Sequence, residues 1–108
     1  MGLTDKDNEE KDIEYYSTPG SIRYVTFIQE DGKRLSLPYS LLPAIEFEPG
    51  EEQQTITLTF PNHKVVLTGY NLEQLCKELE NERVRSITMS GARYMNEKKE
   101  IVLTIDVY

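Results

Sequence analysis

The sequence predicts a small α+β domain: a strongly bent, mostly antiparallel sheet of about six to seven strands, partly open like an incomplete barrel, with one amphipathic helix. Three observations predict this class. Several segments alternate apolar and polar residues with the period of a β-strand. The connections between the first five of them are short, which favours antiparallel neighbours. One segment has the periodicity of a helix, so the expected element order is βββββαββ.

The chain is predicted to divide into a flexible acidic tail over residues 1–18 and a single domain over residues 19–108. The first 20 residues hold six acidic side chains and two lysines, and residues 4–14 include one apolar residue, Ile13. Such a segment cannot bury enough apolar surface to offset the entropy lost on ordering. The Thr-Pro-Gly sequence at residues 18–20 predicts the turn at which the fold begins.

Three strands are predicted in the first half of the domain. Residues 22–29 carry β-branched and aromatic side chains on both faces, which predicts a strand buried on two sides. Asp31-Gly32 predicts a hairpin turn. Residues 34–39 return as a strand with one covered face, in which Pro38 favours the strand end or a sheet edge. Residues 45–48 alternate as a short third strand with one exposed face.

Residues 55–60 give the clearest strand pattern, because three apolar residues alternate with three threonines. Pro-Asn-His at residues 61–63 predicts a tight connection. Residues 64–68 return as the fifth strand, which we expect Gly69 to end.

Residues 71–82 form the predicted helix, since four apolar residues recur at i, i+3, i+4 and i+7. These residues are Leu72, Leu75, Cys76 and Leu79. Asn71 is a favoured N-cap residue, and Gln74 completes a pattern like a capping box. Two more strands are predicted after the helix, over residues 84–89 and 101–107, with a polar loop between them.

The charge balance disfavours two classes of partner. The chain has 19 acidic and 12 basic residues, a net charge of −7. A chain with this balance is repelled by a phosphate backbone and gains little at an anionic membrane. The single cysteine, Cys76, excludes an intramolecular disulfide, and no apolar run is long enough to span a bilayer. We therefore expect a cytoplasmic protein with no membrane partner, and we do not favour nucleic acid as a partner.

Few residues suggest catalysis. Cys76 and His63 are the only thiol and the only imidazole, and they could form a nucleophile–base pair if they met in space. Cys76 belongs to the apolar stripe of the helix, however, which predicts a buried, unreactive residue. Four glutamates around the turn after the third strand match no calcium-loop spacing, so we expect them to be solvated. They are Glu46, Glu48, Glu51 and Glu52. We predict no catalytic residue, no metal site and no cofactor.

One concentration of basic residues forms a candidate interaction patch. It consists of Arg83, Arg85, Arg93 and Tyr94. Arginine with tyrosine can stack on and pair with single-stranded nucleic acid. The alternative explanation is that the arginines compensate the helix dipole and pair with nearby glutamates, and the net negative charge favours it.

The leading functional hypothesis is a non-enzymatic protein-interaction module. Seven tyrosines without a tryptophan support it, because tyrosine is enriched in protein interfaces. Two alternatives stay open: a nucleic-acid-associated protein that uses the arginine patch, and a small enzyme with carboxylate catalysts.

Self-association as a homodimer is also predicted. The last strand carries apolar residues on both faces, with Val102 and Tyr108 on its second face. One helix is too small to cover the apolar faces of seven strands, so curling of the sheet or a second chain must cover the rest. Val102 and Tyr108 are the candidate self-association residues, because unprotected strand edges favour pairing between chains.

Overall fold

A computed structural model describes residues 12–20, 22–42, 44–90 and 100–108 of the chain. The described residues form eight strands and one α-helix, which confirms the predicted α+β class. In chain order they are β1 (Ile13–Tyr15), β2 (Tyr24–Ile28), β3 (Arg34–Pro38), β4 (Ala44–Glu48), β5 (Gln54–Thr59), β6 (Lys64–Tyr70), α1 (Glu73–Glu80), β7 (Val84–Thr88) and β8 (Ile101–Val107). A 3-10 turn, Tyr39–Leu41, lies between β3 and β4.

The strands form two four-stranded sheets rather than one. Sheet A has the order β1-β7-β2-β3 and sheet B the order β4-β5-β6-β8. Every pairing is antiparallel except that of β2 with β7, which is parallel. The strands curl partly around the core, and over the described residues the two sheets do not close into a barrel.

Strand β1 lies inside the segment predicted as the tail. Ile13 pairs with Ile87 of β7 and packs against the core, so part of that segment belongs to sheet A. Composition missed β1 because its stability comes from the edge of β7, which the local sequence does not reveal. The tail prediction for residues 1–11 lies outside the described residues.

The core lies between the two sheets and is covered at one side by α1, which packs against β4 and β7. The alternation predicted for β5 is confirmed, since Ile56 and Leu58 are fully buried. The apolar stripe of the helix is confirmed as well, and it contributes Leu72, Leu75, Cys76 and Leu79 to the core.

The start of α1 differs from the prediction. Leu72, rather than Asn71, is the residue that precedes the helix. The side chain of Leu72 makes no capping hydrogen bond to the first turn. Asn71 adopts a φ of +56°, and the Leu72 N–H donates to Gln54 Oε1 at 2.6 Å. Gln74 donates to Glu78 one turn later instead of closing a capping box. A side chain from sheet B therefore holds the helix start.

The end of α1 is a Schellman motif that turns the chain into β7. Glu82 adopts a φ of +56°. Its N–H donates to the carbonyl of Leu79 at 3.1 Å, and the N–H of Arg83 donates to that of Glu78 at 3.0 Å. These are the two bonds of the motif, and they place Arg83 directly beside the last turn of the helix.

A β-bulge changes which residues of β8 are buried. Thr68 faces Thr104 and Gly69 faces Val102, so Leu103 is the extra residue. A side chain at residue 69 would have its Cβ 1.8 Å from the carbonyl oxygen of Ile101, which explains the glycine. The predicted end of the strand at Gly69 is therefore wrong, because β6 continues to Tyr70.

The bulge also corrects the prediction for Val102. With Leu103 inserted, Val102 turns inward and is fully buried, whereas Val107 is 37% exposed and Tyr108 is 72% exposed. Val102 is thus a core residue of the single chain, and its side chain does not reach the surface.

Within the described residues, no helix is long and apolar enough to cross a membrane.

Candidate functional site

The cysteine and the histidine occupy different environments. His63 lies in the predicted turn between β5 and β6, where its main chain pairs with Phe60. Cys76 lies on the buried face of α1, with its Sγ 4.0 Å from Glu80 Oε2. Burial raises the pKa of the Cys76 thiol, and the negative charges of Glu80 and Glu73 raise it further. This environment is the opposite of the electropositive one that activates a catalytic cysteine.

The predicted acidic cluster is solvated. All four glutamates are exposed, and they are Glu46, Glu48, Glu51 and Glu52. In the described part of the chain, no group of three or more His, Cys, Asp or Glu side chains is arranged to hold a metal ion.

The structure places two of the four predicted patch residues together. Arg83 and Arg85 lie on either side of Val84 at the start of β7, and both contact Tyr16. Arg93 and Tyr94 lie outside the described residues. Tyr16, Arg83 and Arg85 constitute what we call the arginine–tyrosine patch.

A second bulge presents Arg85 to the solvent. Tyr15 faces Val84 and Glu14 faces Ser86, so Arg85 is the extra residue of β7. Without this bulge, strict alternation would direct Arg85 to the same face as the fully buried Ile87. The guanidinium carbon of Arg85 instead lies 5.4 Å from the centroid of the Tyr16 ring, within the range of a cation–π contact.

The arginine–tyrosine patch is partly neutralised. Arg83 Nη1 lies 3.3 Å from Glu78 Oε1, which is a buried oxygen. Arg83 Nε donates to the carbonyl of Tyr16 at 3.0 Å. Next to them, the Tyr15 hydroxyl donates to Glu100, and burial followed by this carboxylate raises the pKa of Tyr15. Pairing with a glutamate, the alternative explanation from the sequence, is confirmed for Arg83.

A second candidate surface lies where sheet A and sheet B open towards each other. We call it the edge cleft. It is a depression of about 290 Å³, and most of the surface that lines it is apolar. Its lining residues are Phe27, Gln29, Lys33, Arg34, Leu35 and Val107. Phe27 is buried at its floor, and Val107 is 37% exposed at its far side. Its charged lining residues, Lys33 and Arg34, are both cations.

Strand β3 presents main-chain groups beside the edge cleft. The N–H of Gln29 donates to the carbonyl of Lys33, and the N–H of Tyr39 donates to the carbonyl of Arg23. The odd-numbered residues of β3 are therefore the ones whose main-chain groups bond to β2. The main-chain groups of Arg34 and Ser36 consequently point away from β2. Pro38 points the same way but has no N–H, in line with the predicted place of this proline at the end of an edge strand.

The edge of β8 is largely covered in the same chain. The Ser90 N–H donates to the carbonyl of Val102 at 2.8 Å, and Gln29 Nε2 donates to that of Ile105 at 2.9 Å. Tyr108 and Lys64 exchange two main-chain hydrogen bonds. The main-chain groups of the neighbouring residue, Val107, therefore point away from β6. They face the side of the strand on which the edge cleft lies.

Comparison with known proteins identifies no relative: no family model, no curated protein and no solved structure matches this chain.

Sequence reasoning missed the edge cleft and found only part of the arginine–tyrosine patch. Pro38 was the one signal that pointed to β3 as an edge, and it gave no indication of what lay opposite. The approach of Val107 to Leu35 depends on how two sheets are packed, and residues 35 and 107 are too far apart in the chain for a local pattern to link them.

Proposed function

We propose that this chain is a non-enzymatic protein-interaction module and that the edge cleft is its binding surface. The observation that carries the proposal is the coincidence of an apolar depression with an edge strand whose main-chain groups point outwards. Clefts of this kind give a partner both apolar contact and directional hydrogen bonds.

The exposed side chains around the cleft support the same proposal. Val107 is 37% exposed although Ile105, two residues earlier in β8, is buried, and Leu35 is half-buried. A partner that covered them would gain the free energy of removing apolar surface from water. By contrast, the depression beside Tyr24 is larger, at about 380 Å³, but its lining is mixed and includes the charged residues Arg23 and Glu82.

A selection experiment tests the proposal. A library of random displayed peptides is selected on the full chain, and the recovered peptides are then measured against Val107→Glu and Leu41→Glu. Leu41 is the matched control, because it is 50% exposed and is not among the cleft residues. We expect Val107→Glu to abolish binding and Leu41→Glu to leave it unchanged. Equal binding to both variants, or no enriched peptide, would contradict the proposal.

Nucleic-acid binding is the second candidate function, and the stacking of Arg85 on Tyr16 is the observation that favours it. The pairing of Arg83 with Glu78 and the net charge of −7 weigh against it. Titration with a fluorescent single-stranded oligonucleotide at several salt concentrations separates the two functions. A nucleic-acid-binding protein would lose affinity steeply with salt and would lose it again in Arg85→Ala.

A further inference from the structure

We infer that the edge cleft binds an extended segment of a partner protein as an added strand next to β3, with an apolar side chain opposite Leu35 and an acidic residue beside Arg34. This inference rests on the proposed function and specifies the chemistry of its partner. Three properties of the cleft lead to it: its main-chain groups, its size and its charge.

The main-chain groups fix the way in which the segment is held. The outward N–H and carbonyl groups of Arg34 and Ser36 are spaced as a β-ladder requires. Pro38 lacks an N–H and ends the ladder. The paired segment is therefore short, and main-chain pairing alone would not bind it tightly.

The size of the cleft fixes the central side chain. Leu35 points to the inner face of sheet A, together with its partner Phe27, so a residue opposite Leu35 in an added strand points inwards as well. It would enter the space between Leu35 and Val107. The volume of about 290 Å³ is slightly below the range of about 300–1,000 Å³ that is typical of sites for small molecules. An aliphatic side chain of the added strand can enter this space.

The outer face of sheet A fixes the flanking side chains. A row of polar residues crosses the four strands there, and it consists of Glu14, Ser86, Thr26 and Ser36. Ser86 donates to Glu14 at 3.2 Å, and the hydroxyls of Thr26 and Ser36 lie 2.7 Å apart. A fifth strand would extend this row beside Ser36, where a hydroxyl-bearing residue matches the pattern.

Arg34 lies next in line on the same outer face and specifies the charge. Its neighbour across the ladder is the apolar Ile28, and no carboxylate pairs with it among the described residues. Lys33, the other cation of the cleft, lies in a turn whose Asp31 side chain accepts a hydrogen bond from the Lys33 N–H. Neither Lys33 nor Arg34 forms a salt bridge in the described part of the chain. Arg34 is the one that lies within β3 itself, so a carboxylate in the added strand would pair with it.

The test uses capped synthetic peptides of eight residues and the full chain labelled with nitrogen-15. The central triplet is Glu-Leu-Thr or its reverse, Thr-Leu-Glu, because the direction of the added strand decides which order places the acid beside Arg34. We expect one of them to shift the amide signals of Arg34, Ser36 and Val107. Replacing the glutamate with lysine should weaken binding by about two- to five-fold, and replacing the leucine with alanine by about tenfold. Methylation of a pairing peptide nitrogen should weaken it by about two- to tenfold.

A charge-reversal pair gives the decisive comparison. Arg34→Glu should prefer the lysine peptide to the glutamate peptide, which reverses the preference of the original chain. Arg23→Glu is the matched control, since Arg23 is also exposed but lies at the depression beside Tyr24, and it should keep the original preference. An unchanged preference in Arg34→Glu would overturn the inference.

The remaining outcomes separate this inference from the proposed function. If the peptide selection yields binders that depend on Val107 but carry no acidic residue, the proposed function stands and the inference fails. If it yields none, both fail. A stable dimer of twice the 12.5 kDa chain mass whose Ser36 amide is protected from hydrogen exchange would identify a second copy as the occupant and would also overturn the inference.

Discussion

Tyr39 donates its hydroxyl proton to the main-chain carbonyl of Val84 at 2.6 Å, and both residues are buried. This hydrogen bond joins the turn after β3 to the first residue of β7, a strand that β2 separates from β3 in sheet A. Burial raises the pKa of Tyr39. The 3-10 turn is thereby fixed to the sheet from which the chain departs towards sheet B.

Removing this hydrogen bond should destabilise the fold. We expect Tyr39→Phe to lower the free energy of unfolding by about 1–2 kcal/mol, because a buried hydrogen bond is lost while the ring is kept. Urea denaturation measures the change. Tyr24→Phe is the control, since Tyr24 is 52% exposed, and it should leave the midpoint unchanged. Equal effects of both substitutions would show that the Tyr39 bond adds nothing to stability.

The bulge in β8 should depend on Gly69. A methyl group at this position would collide with the carbonyl of Ile101, so we expect Gly69→Ala to destabilise the fold by at least about 1–3 kcal/mol. Thermal unfolding followed by circular dichroism gives the measurement. Thr68→Ala, which changes the neighbouring residue without adding an atom, should have a smaller effect. A Gly69→Ala variant as stable as the original chain would mean that β8 can move away from β6.

The N-terminal segment should divide into two parts with different contributions. Deleting residues 1–11 should change the free energy of unfolding by less than about 0.5 kcal/mol, as their composition predicts. Deleting residues 1–17 also removes β1, the packing of Ile13 and the bonds between Tyr16 and Arg83. We expect that deletion to cost about 1–3 kcal/mol. If both deletions have the same melting temperature, β1 does not stabilise the domain.

Cys76 should be slow to react and should make stability depend on pH. A thiol reagent should modify the native chain far more slowly than the chain in urea, since the thiol is buried and its pKa is raised above the ordinary value of 9.0. Above about pH 9 the unfolded chain loses this proton while the folded chain keeps it, so the free energy of unfolding falls as pH rises.

Cys76→Ala isolates this contribution. The variant should lose the part of the decline that begins near pH 9, while Tyr15 and Tyr39, whose pKa values are also raised, preserve the part that begins near pH 10. An identical pH profile for the variant and the original chain would contradict the assignment.

Local pattern predicted the elements better than their arrangement. The alternation of β5 and the stripe of α1 were sufficient, because each burial pattern depends on residues within one element. The burial of Val102 and the exposure of Arg85 were harder to predict, because in each case a bulge shifts the alternation by one residue. A bulge depends on how a strand pairs with its neighbour, which the strand's own sequence does not reveal.

At the candidate sites, too, the sequence predicted individual residues better than their neighbours in space. The sequence drew attention to Arg83 and Arg85, but Tyr16, which contacts both, belonged to the predicted tail. Leu35 and Val107 were each assigned to a strand, and only the packing of the two sheets shows that they line one cleft.

The parallel pairing of β2 with β7 has a consequence for the way in which the chain folds. Residues 29–83 lie between these strands and contain β3 to β6 and α1, so the centre of sheet A requires the closure of a long loop before it gains any contact. The β4–β5–β6 meander, by contrast, pairs neighbours along the chain. High contact order slows folding, and we therefore expect amide protection to develop first in the meander and last between Phe27 and Ile87.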